Sequence, residues 1–306
     1  MKDYRDKQIR EWYQKGVYNA AAMTNLPKGL RDELGDRTPL REVMRQTSKD
    51  GTVKILWELL DGETVETVIM KHRHGVSVCL STQAGCGRNC SFCASGKTGL
   101  VRNLTALEML AQINLLDTHA DTVVLMGIGE PLDNFENVIE FFGLAGMGAR
   151  KISLSTCGVV PGIVKLADSG WPVTLSVSVH APNNVLRDGI MPVNRLYPIE
   201  ELLAACRLYF DKTGRRVSYE YAIIKGFNDS AALAGELAAV LPRPAHVNLI
   251  PANRVAESGT EPARPKDIQA FAAILTGKGI SCTVRRTLGG DIDAACGQLR
   301  QRCGKA

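Results

Sequence analysis

The sequence predicts an α/β protein built on a partial (β/α)6 barrel. Apolar, β-branched runs alternate with helical segments from about residue 76 to the end of the chain. Strands that alternate with helices at this spacing form right-handed βαβ units around a parallel sheet. About six such units suit an open, incomplete barrel better than a closed one of eight. A small helical domain and a β-hairpin are expected before the barrel.

The first part of the chain carries helix and turn signals. Residues 3–45 are predicted to form short helices, broken by a Pro27-Lys28-Gly29 turn and by Gly35. Residues 51–70 alternate apolar and polar side chains around Asp61-Gly62, which is typical of a hairpin. The predicted divisions are a helical accessory domain, a hairpin connector and the barrel: residues 1–48, 49–75 and 76–306.

The barrel strands carry small polar residues on one face. The predicted strands are 76–81, 122–127, 150–155, 173–180, 216–224, 245–250 and 281–286. The predicted helices lie near 104–117, 134–146, 160–169, 198–212, 230–241 and 266–278. In strand 173–180, Thr174, Ser176 and Ser178 alternate with valines and a leucine. A closed barrel fills its interior with branched apolar side chains, so a polar inner face predicts a ligand cavity. Solvent-facing polar residues are the alternative.

Composition excludes some classes of protein. The chain has 306 residues, 45% of them hydrophobic and 23% charged, which is ordinary for a globular protein. A run of about 18 apolar residues is lacking and the N-terminus is charged, so we expect a cytoplasmic protein with neither a membrane span nor a secretory signal. The net charge of +5 permits binding to a polyanion without requiring it.

Three of the nine cysteines are crowded after the first barrel strand. Cys86, Cys90 and Cys93 form a C-x3-C-x2-C arrangement that could wrap three thiolates around one metal centre. With three ligands, one iron of a four-iron cluster would stay open to another chelator. A structural zinc site is the alternative. The histidines that could complete such a zinc site are His72, His74 and His119.

This cysteine spacing after the first strand of a βα repeat resembles the signature of radical SAM enzymes. Gly127-Ile128-Gly129-Glu130-Pro131 resembles the loop of that superfamily that holds the methionine amine. The resemblance implies a radical-SAM barrel, one [4Fe–4S] cluster on the three cysteines, and S-adenosylmethionine as cofactor. It implies that the cofactor contacts lie at the carboxyl ends of the strands. The matching positions are Gly129, Glu130, Ser155, Ser178, Val179, His180 and Asn253.

Two further motifs narrow the resemblance. The segment from Gly289 to Leu299, GGDIDAACGQL, and the segment VCLSTQAGC, which ends at Cys86, are similar to motifs of the RlmN and Cfr family of RNA adenine methyltransferases. The similarity runs from about residue 4 to residue 300. It implies methylation of an adenine in ribosomal RNA, with transfer RNA as a second substrate in many members. The wording of the motifs favours carbon 2 of the base, and carbon 8 is the alternative.

The family resemblance also assigns roles to two thiols and a carboxylate. Cys296 would accept a methyl group from one S-adenosylmethionine, and radical chemistry would then join that carbon to the adenine. A second thiol must release the product by forming a disulfide, and Cys79 matches that thiol. Glu66 matches the proposed proton acceptor. The remaining cysteines are interpreted as bystanders: Cys157, Cys206, Cys282 and Cys303.

The expected partners follow from the same resemblance. They are ribosomal RNA, transfer RNA and an electron donor such as flavodoxin or ferredoxin, and the protein is expected to be a monomer that does not bind membranes. The N-terminal domain is shorter than in the family, and Ala252 replaces an aromatic residue before Asn253. Four basic residues are candidate phosphate contacts: Lys97, Arg102, Arg285 and Arg286. A radical SAM enzyme with a non-RNA substrate and a zinc-stabilised RNA-binding protein are the rival hypotheses.

Overall fold

A computed structural model describes residues 2–251, 261, 263–286, 288–293 and 297–303. Its α/β architecture, with a long sheet covered by helices, confirms the predicted fold class. No helix in these described ranges is long and apolar enough to cross a membrane.

The N-terminal segment combines two helices with a strand that the sequence did not predict. Helices α1 (Lys2–Gln14) and α2 (Lys28–Leu34) agree with the prediction. Residues assigned to the end of the helical segment instead form β1 (Leu40–Thr47), so that part of the prediction was wrong. β1 is an edge strand with mostly exposed side chains, and it owes its conformation to antiparallel pairing with the next strand.

The predicted hairpin is present and continues into the barrel. β2 (Val53–Leu59) and β3 (Thr64–His72) pair in antiparallel fashion around the turn at Gly62, whose φ is 84°. β3 then pairs antiparallel with β4 (Gly75–Cys79), the first strand of the parallel part. The connector therefore belongs to the same sheet as the barrel.

The barrel strands and helices fall close to their predicted positions. After β4, the parallel strands are β7 (Thr122–Leu125), β8 (Ile152–Thr156), β9 (Thr174–Ser178), β10 (Ser218–Ile223), β11 (His246–Pro251) and β12 (Ser281–Val284). The helices are α3 (Ala106–Asn114), α4 (Phe135–Leu144), α5 (Val160–Asp168), α6 (Asn184–Ile190), α7 (Ile199–Thr213), α8 (Ala231–Val240) and α9 (Pro265–Gly277). A separate antiparallel pair consists of β5 (Gln83–Gly85) and β6 (Leu100–Asn103), and α10 (Gln298–Arg302) ends the described chain before Cys303.

The ten strands of the main sheet follow the order β1-β2-β3-β4-β7-β8-β9-β10-β11-β12. All pairs from β4 to β12 are parallel, with a helix in each crossover. Within the described residues β1 and β12 are the two edges, so the sheet is an open, partial barrel.

Strand register shows that the polar faces of the barrel strands are continuous. Ser155 pairs with Ser176, and Ser176 pairs with Ser218 on the next strand. Paired residues project to the same side of a sheet, so these hydroxyls form one row. Leu175 and Val177 project to the other side and are fully buried. The polar side is the inner face of the barrel, as predicted.

Candidate active site

A two-stranded clip positions the cysteine loop. Cys86 follows β5 directly, and its N–H donates to the carbonyl of Gly99 at 2.9 Å, just before β6. Gly85 has a φ of 82°, and a Cβ there would lie 2.0 Å from the same carbonyl oxygen. Only glycine permits this close approach of the two backbones. β5 and β6 can therefore pair in antiparallel fashion and present the loop between them.

Three contacts bind the cysteine loop to the strand ends. The guanidinium of Arg88 forms an ion pair with Asp133, with Nε 2.6 Å from Oδ2. The N–H of Ser91 donates to the carbonyl of Ile190 at 3.0 Å. The ring of Phe92 meets that of His180 edge-on, with centroids 4.7 Å apart. The loop is thus held between the turn after β7 and the turn after β9.

The cysteine thiols lie in a site that disfavours negative charge. Burial raises the pKa of Cys86 to about 11 and that of Cys90 to about 12, and the neighbouring cysteines and Glu130 raise both further. Thiolates at these positions need a compensating cation. The irons of an iron–sulfur cluster supply such charge, so this donor set fits the group that the resemblance implies.

The cysteine geometry alone does not choose between zinc and an iron–sulfur cluster. Among the residues that the structure describes, no group of three or more histidine, cysteine or acidic side chains is arranged to hold a metal ion, and the three loop cysteines are included in that statement. The preference for a cluster comes from the resemblance to radical SAM enzymes.

The turn after β7 fits tightly against β5. Gly129 has a φ of 111°, and a Cβ there would lie 2.7 Å from the Cβ of Gln83. The side chain of Gln83 accepts the N–H of Glu130 at 2.8 Å. The Glu130 carboxylate in turn accepts the N–H of Leu132 at 3.0 Å and that of Cys157 at 2.7 Å. Burial raises the pKa of Glu130 above its ordinary value, although these hydrogen bonds oppose the rise.

The other predicted cofactor positions lie on neighbouring strands. Ser155 is half-buried on β8, Ser178 ends β9, and Val179 is buried immediately after it. Glu130 connects to this row because its carboxylate binds the N–H two residues after Ser155. Asn253 lies outside the described residues. The structure thus brings the other predicted cofactor contacts to the carboxyl ends of adjacent strands.

His180 has a defined protonation state. Its Nδ1 accepts the N–H of Ala222 at 2.8 Å, so the ring proton lies on Nε2. Burial and, to a smaller extent, the nearby Arg187 together lower the pKa of His180 to about 3. Its φ of 53° is in the left-handed region, which is uncommon outside glycine and asparagine. The imidazole is a neutral Nε2–H donor at physiological pH.

The two catalytic side chains predicted within the described residues share one face of the hairpin sheet. Cys79 on β4 pairs with Val68 on β3, and Val68 pairs with Lys54 on β2. Directly paired residues lie on the same face, as do residues two apart on a strand. Glu66 therefore projects from the same face as Cys79, as its diagonal neighbour. The Cα atoms of diagonal neighbours lie about 7–8 Å apart.

Glu66 is not a solvated hairpin residue but a buried one, 3% exposed. Its Oε2 lies 2.9 Å from the Nζ of Lys54. Its two oxygens also accept the N–H groups of Gly297, at 2.8 Å, and Arg300, at 2.7 Å. Gly297 directly follows Cys296, which lies outside the described residues. The carboxylate proposed as proton acceptor is therefore bonded to the chain next to the proposed methyl acceptor.

The C-terminal segment, described over residues 288–293 and 297–303, is fastened to the hairpin sheet at further points. The N–H of Gly289 donates to Asp50 at 2.8 Å, and the hydroxyl of Ser48 donates to Asp291. Gln46 exchanges two hydrogen bonds with Asp293, at 3.0 and 3.2 Å. The segment thus lies across β1 to β3 on the Cys79 face.

Sequence analysis missed two buried cations at this site. Lys54 and Arg187 are both fully buried. Arg187 donates to the carbonyl of Cys157 at 2.7 Å and to that of Ser178 at 3.1 Å, and so joins the ends of β8 and β9. A lysine inside the apolar run VKILW was a signal for a buried charge, but its partner could not be identified from the sequence.

Arg102, one of the four candidate phosphate contacts, is bonded within the protein. Arg102 forms ion pairs with Asp61, at 2.5 Å, and with Glu108, at 2.8 Å. Its guanidinium joins the hairpin turn to helix α3, which argues against a phosphate role. Arg285 and Arg286 are exposed after β12 and remain candidates.

The comparisons with known proteins agree with this geometry. Residues 80–234 match the family model of the radical SAM superfamily. A probable dual-specificity RNA methyltransferase RlmN from Symbiobacterium thermophilum is 48% identical, over 98% of this chain and 86% of the relative. One from Clostridium novyi is 45% identical, over 97% and 92% of the two chains. The crystal structure of a radical SAM methyltransferase from Sphaerobacter thermophilus superposes with a TM-score of 0.90 at 44% identity, over 96% of this chain and 92% of the other.

The open barrel with its cysteine loop at the strand ends thus has the architecture of a radical SAM enzyme. The chain belongs to the radical SAM superfamily and, within it, to the RlmN family of RNA methyltransferases. It is an S-adenosylmethionine-dependent RNA methyltransferase, and its family in general uses an iron–sulfur cluster.

Proposed function

We propose that the protein methylates carbon 2 of an adenine in ribosomal RNA and acts on transfer RNA as a second substrate. One observation supports the two-thiol chemistry of this proposal beyond family membership. The chain adjoining Cys296 is bonded to Glu66, on the same sheet face as Cys79. A single-thiol methyltransferase would not need this arrangement, because the second thiol serves only to release a product attached to the first.

The proposed cofactors are one [4Fe–4S] cluster and S-adenosylmethionine. Cys86, Cys90 and Cys93 would hold the cluster, and the burial that raises the pKa of the Cys86 and Cys90 thiols favours a cationic group beside them. When bound, the pair supplies the one-electron cleavage that starts radical chemistry. An electron donor of the flavodoxin or ferredoxin type would deliver the electron.

The strand ends would bind S-adenosylmethionine. Gly129 lets the turn after β7 pack against Gln83, and the carboxyl oxygens of Glu130 would accept hydrogen bonds from the methionine amine. Ser155 and Ser178 line the inner face, and the Nε2–H of His180 can donate to an acceptor on the nucleoside. Val179 supports this turn from the buried side, and Asn253 is assigned to the same site by family resemblance.

The two thiols would divide the transfer between them. Cys296 Sγ would carry the methyl carbon and become bonded through it to the adenine ring. Cys79 would then attack the sulfur of Cys296, forming a disulfide as the carbon–sulfur bond breaks. The electron pair of that bond would stay on the carbon attached to the adenine, and this carbon would take up a proton to become the methyl group. Restoring the aromatic ring after the radical addition requires the loss of one electron and of the ring proton. The electron would return to the iron–sulfur group, and we assign removal of the proton to Glu66.

The substrate adenine would reach this site as an unstacked base, since the enzyme cannot reach carbon 2 or carbon 8 of a base that is stacked in a paired helix. We propose that residues 1–48 contribute RNA contacts, that 49–75 form the connector, and that 76–306 form the catalytic barrel. Arg285 and Arg286 at the mouth would bind phosphates. The protein would act as a cytoplasmic monomer.

The test is to incubate anaerobically reconstituted protein with ribosomal and transfer RNA, then map methylated adenine by nuclease digestion and mass spectrometry. The expected product is 2-methyladenosine, and Cys296→Ala should form none. A product of 8-methyladenosine would contradict the choice of carbon 2. The absence of any methylated base with the wild-type protein would contradict the proposed function.

A further inference from the structure

Lys54 is the second residue of β2 and is fully buried. Lysine is almost never buried without a partner, because removing its charge from water is costly. The strand that contains it reads VKILWEL, and most of its other residues belong to the apolar core. The ammonium of Lys54 therefore has to be matched by partners inside the protein.

The ammonium of Lys54 contacts both sides of the undescribed residues 294–296. On one side, Nζ donates to the carbonyl oxygen of Asp293 at 2.5 Å. On the other side, Nζ lies 2.9 Å from the carboxylate of Glu66, which accepts the N–H groups of Gly297 and Arg300. One buried cation therefore joins, directly or through one carboxylate, the two ends of the segment that contains Cys296.

These contacts are not needed to hold the hairpin together. The residue directly paired with Lys54 on β3 is Val68, while Glu66 pairs with Leu56. The strands are already joined by their backbone ladder, so the diagonal ion pair adds little to their register. The second partner of Lys54, Asp293, is 239 positions away in the sequence. The charge serves the C-terminal segment rather than the sheet.

The ties of the C-terminal segment to β1 and to the turn after it are only partly buried. In that turn Ser48 binds Asp291 and Asp50 binds Gly289. Partly exposed hydrogen bonds compete with water, whereas a charge-assisted bond in a dry site holds its geometry more strongly. The buried contacts of Lys54 and of its partner Glu66 are therefore the ones most suited to fixing where the segment lies.

We propose that Lys54 is a positioning residue of the methyl-transfer reaction. By binding the Asp293 carbonyl and the Glu66 carboxylate together, it fixes Asp293 and Gly297, which flank the residues that include Cys296, on the hairpin sheet. This inference rests on the proposed function, because it gives Lys54 a role only if Cys296 and Cys79 act in sequence.

The experiment compares Lys54→Met, which keeps the apolar stem, with the matched control Lys212→Met. Lys212 forms an exposed ion pair with Asp168, and removing such a surface pair changes little. Hydrogen–deuterium exchange of the reconstituted protein is followed in peptides covering 289–303 and, as a reference, in the barrel strands β7 to β9. We expect Lys54→Met to speed exchange in the segment roughly tenfold to a hundredfold and to leave the reference strands unchanged.

Steady-state kinetics supplies the second readout. A segment that is misplaced by about 1 Å loses on the order of 10²-fold in kcat. The KM values for RNA and S-adenosylmethionine should stay within about twofold, since Lys54 touches neither binding site. If Lys54→Met does not fold, Lys54→Met combined with Glu66→Gln removes both buried charges. That double variant should still show faster exchange at residues 289–293, where the Asp293 carbonyl has lost its donor.

Unchanged exchange in the segment would overturn the inference, because Lys54 would then not hold it. Faster exchange with an unchanged kcat would overturn it as well, because the position of the segment would not matter to the reaction. A wild-type protein that methylates no RNA would contradict the proposed function instead, and this control is read before any variant is compared.

Discussion

At the carboxyl ends of the barrel strands, the site is held mostly by backbone groups and by residues near one another in sequence. Glu130, for example, binds N–H groups 2 and 27 positions away. On the Cys79 face, by contrast, charged side chains join residues that are 231 to 247 positions apart. One region is built within consecutive βα units, and the other forms only when the two ends of the chain meet.

The two regions also differ in their electrostatics. The buried thiols of Cys86 and Cys90 have raised pKa values, so this region is suited to a cationic group that the chain does not supply. On the Cys79 face, Lys54 already compensates Glu66. The difference indicates that the cofactor organises the first region, whereas the protein's own ion pair organises the second.

The largest expected effect concerns the cysteine loop. Replacing Cys86, Cys90 or Cys93 singly by alanine should abolish the brown iron–sulfur absorbance and reduce bound iron and sulfide to background, because a cluster with two protein thiolates is poorly held. Cys282→Ala, on β12 away from the loop, is the control and should keep its iron. Undiminished iron in any of the three loop variants would show that the ligand assignment is wrong.

A smaller effect is expected at His180, through the pH dependence of stability. The pKa of His180 is about 3 in the folded protein and 6.5 in an unperturbed histidine. As the pH falls, the imidazole is therefore protonated first in the unfolded chain. Stability from this group is therefore present above pH 6.5 and is lost as the pH falls towards 3. Between pH 6.5 and pH 5 the loss amounts to about 2 kcal/mol.

The test at this position is His180→Asn. Asparagine tolerates the left-handed backbone, and its Oδ1 can accept the Ala222 N–H as Nδ1 does. Denaturant unfolding of both proteins at pH 6.5 and pH 5 should show a loss of stability that is about 2 kcal/mol smaller in the variant. An equal loss in the two proteins would mean that His180 does not titrate as its burial implies.

The smallest expected effect separates two arginines near the mouth. Arg286→Ala should lower the slope of log affinity against log salt by about one unit, as one phosphate contact is lost. Arg102→Ala should leave that slope unchanged, because its guanidinium is engaged by Asp61 and Glu108, and should cost about 1 kcal/mol of stability or less. Filter binding over a salt series measures both, and the reverse pattern would assign the phosphate contact to Arg102.

The same comparison explains how much could be predicted from the sequence. The periodicity of apolar residues placed the barrel elements within a few residues, because each is set by its own local pattern; 198–212, for instance, is helix α7 at Ile199–Thr213. The strand β1 was missed because its side chains are mostly exposed and its conformation depends on pairing with β2.

The site divides in the same way. The cysteine loop and the Gly129-Glu130 turn could be recognised in the sequence because their function requires particular residues at a fixed, short spacing. The burial of Glu66 and the task of Lys54 were not, since both depend on a segment that reaches them from the far end of the chain. Family resemblance named Cys296 and Cys79, but register was needed to show that Cys79 and Glu66 share a face.

The central claim is that Cys79 completes on this face a reaction begun at Cys296. The most direct measurement uses Cys79→Ala with labelled RNA, denaturing electrophoresis, and mass spectrometry of the nuclease-trimmed product. We expect a covalent protein–RNA adduct through Cys296 to accumulate, because the carbon–sulfur bond has no second thiol to break it. Cys206→Ala, at a buried thiol on helix α7, is the control and should form no adduct. Normal turnover of Cys79→Ala without any adduct would contradict the claim.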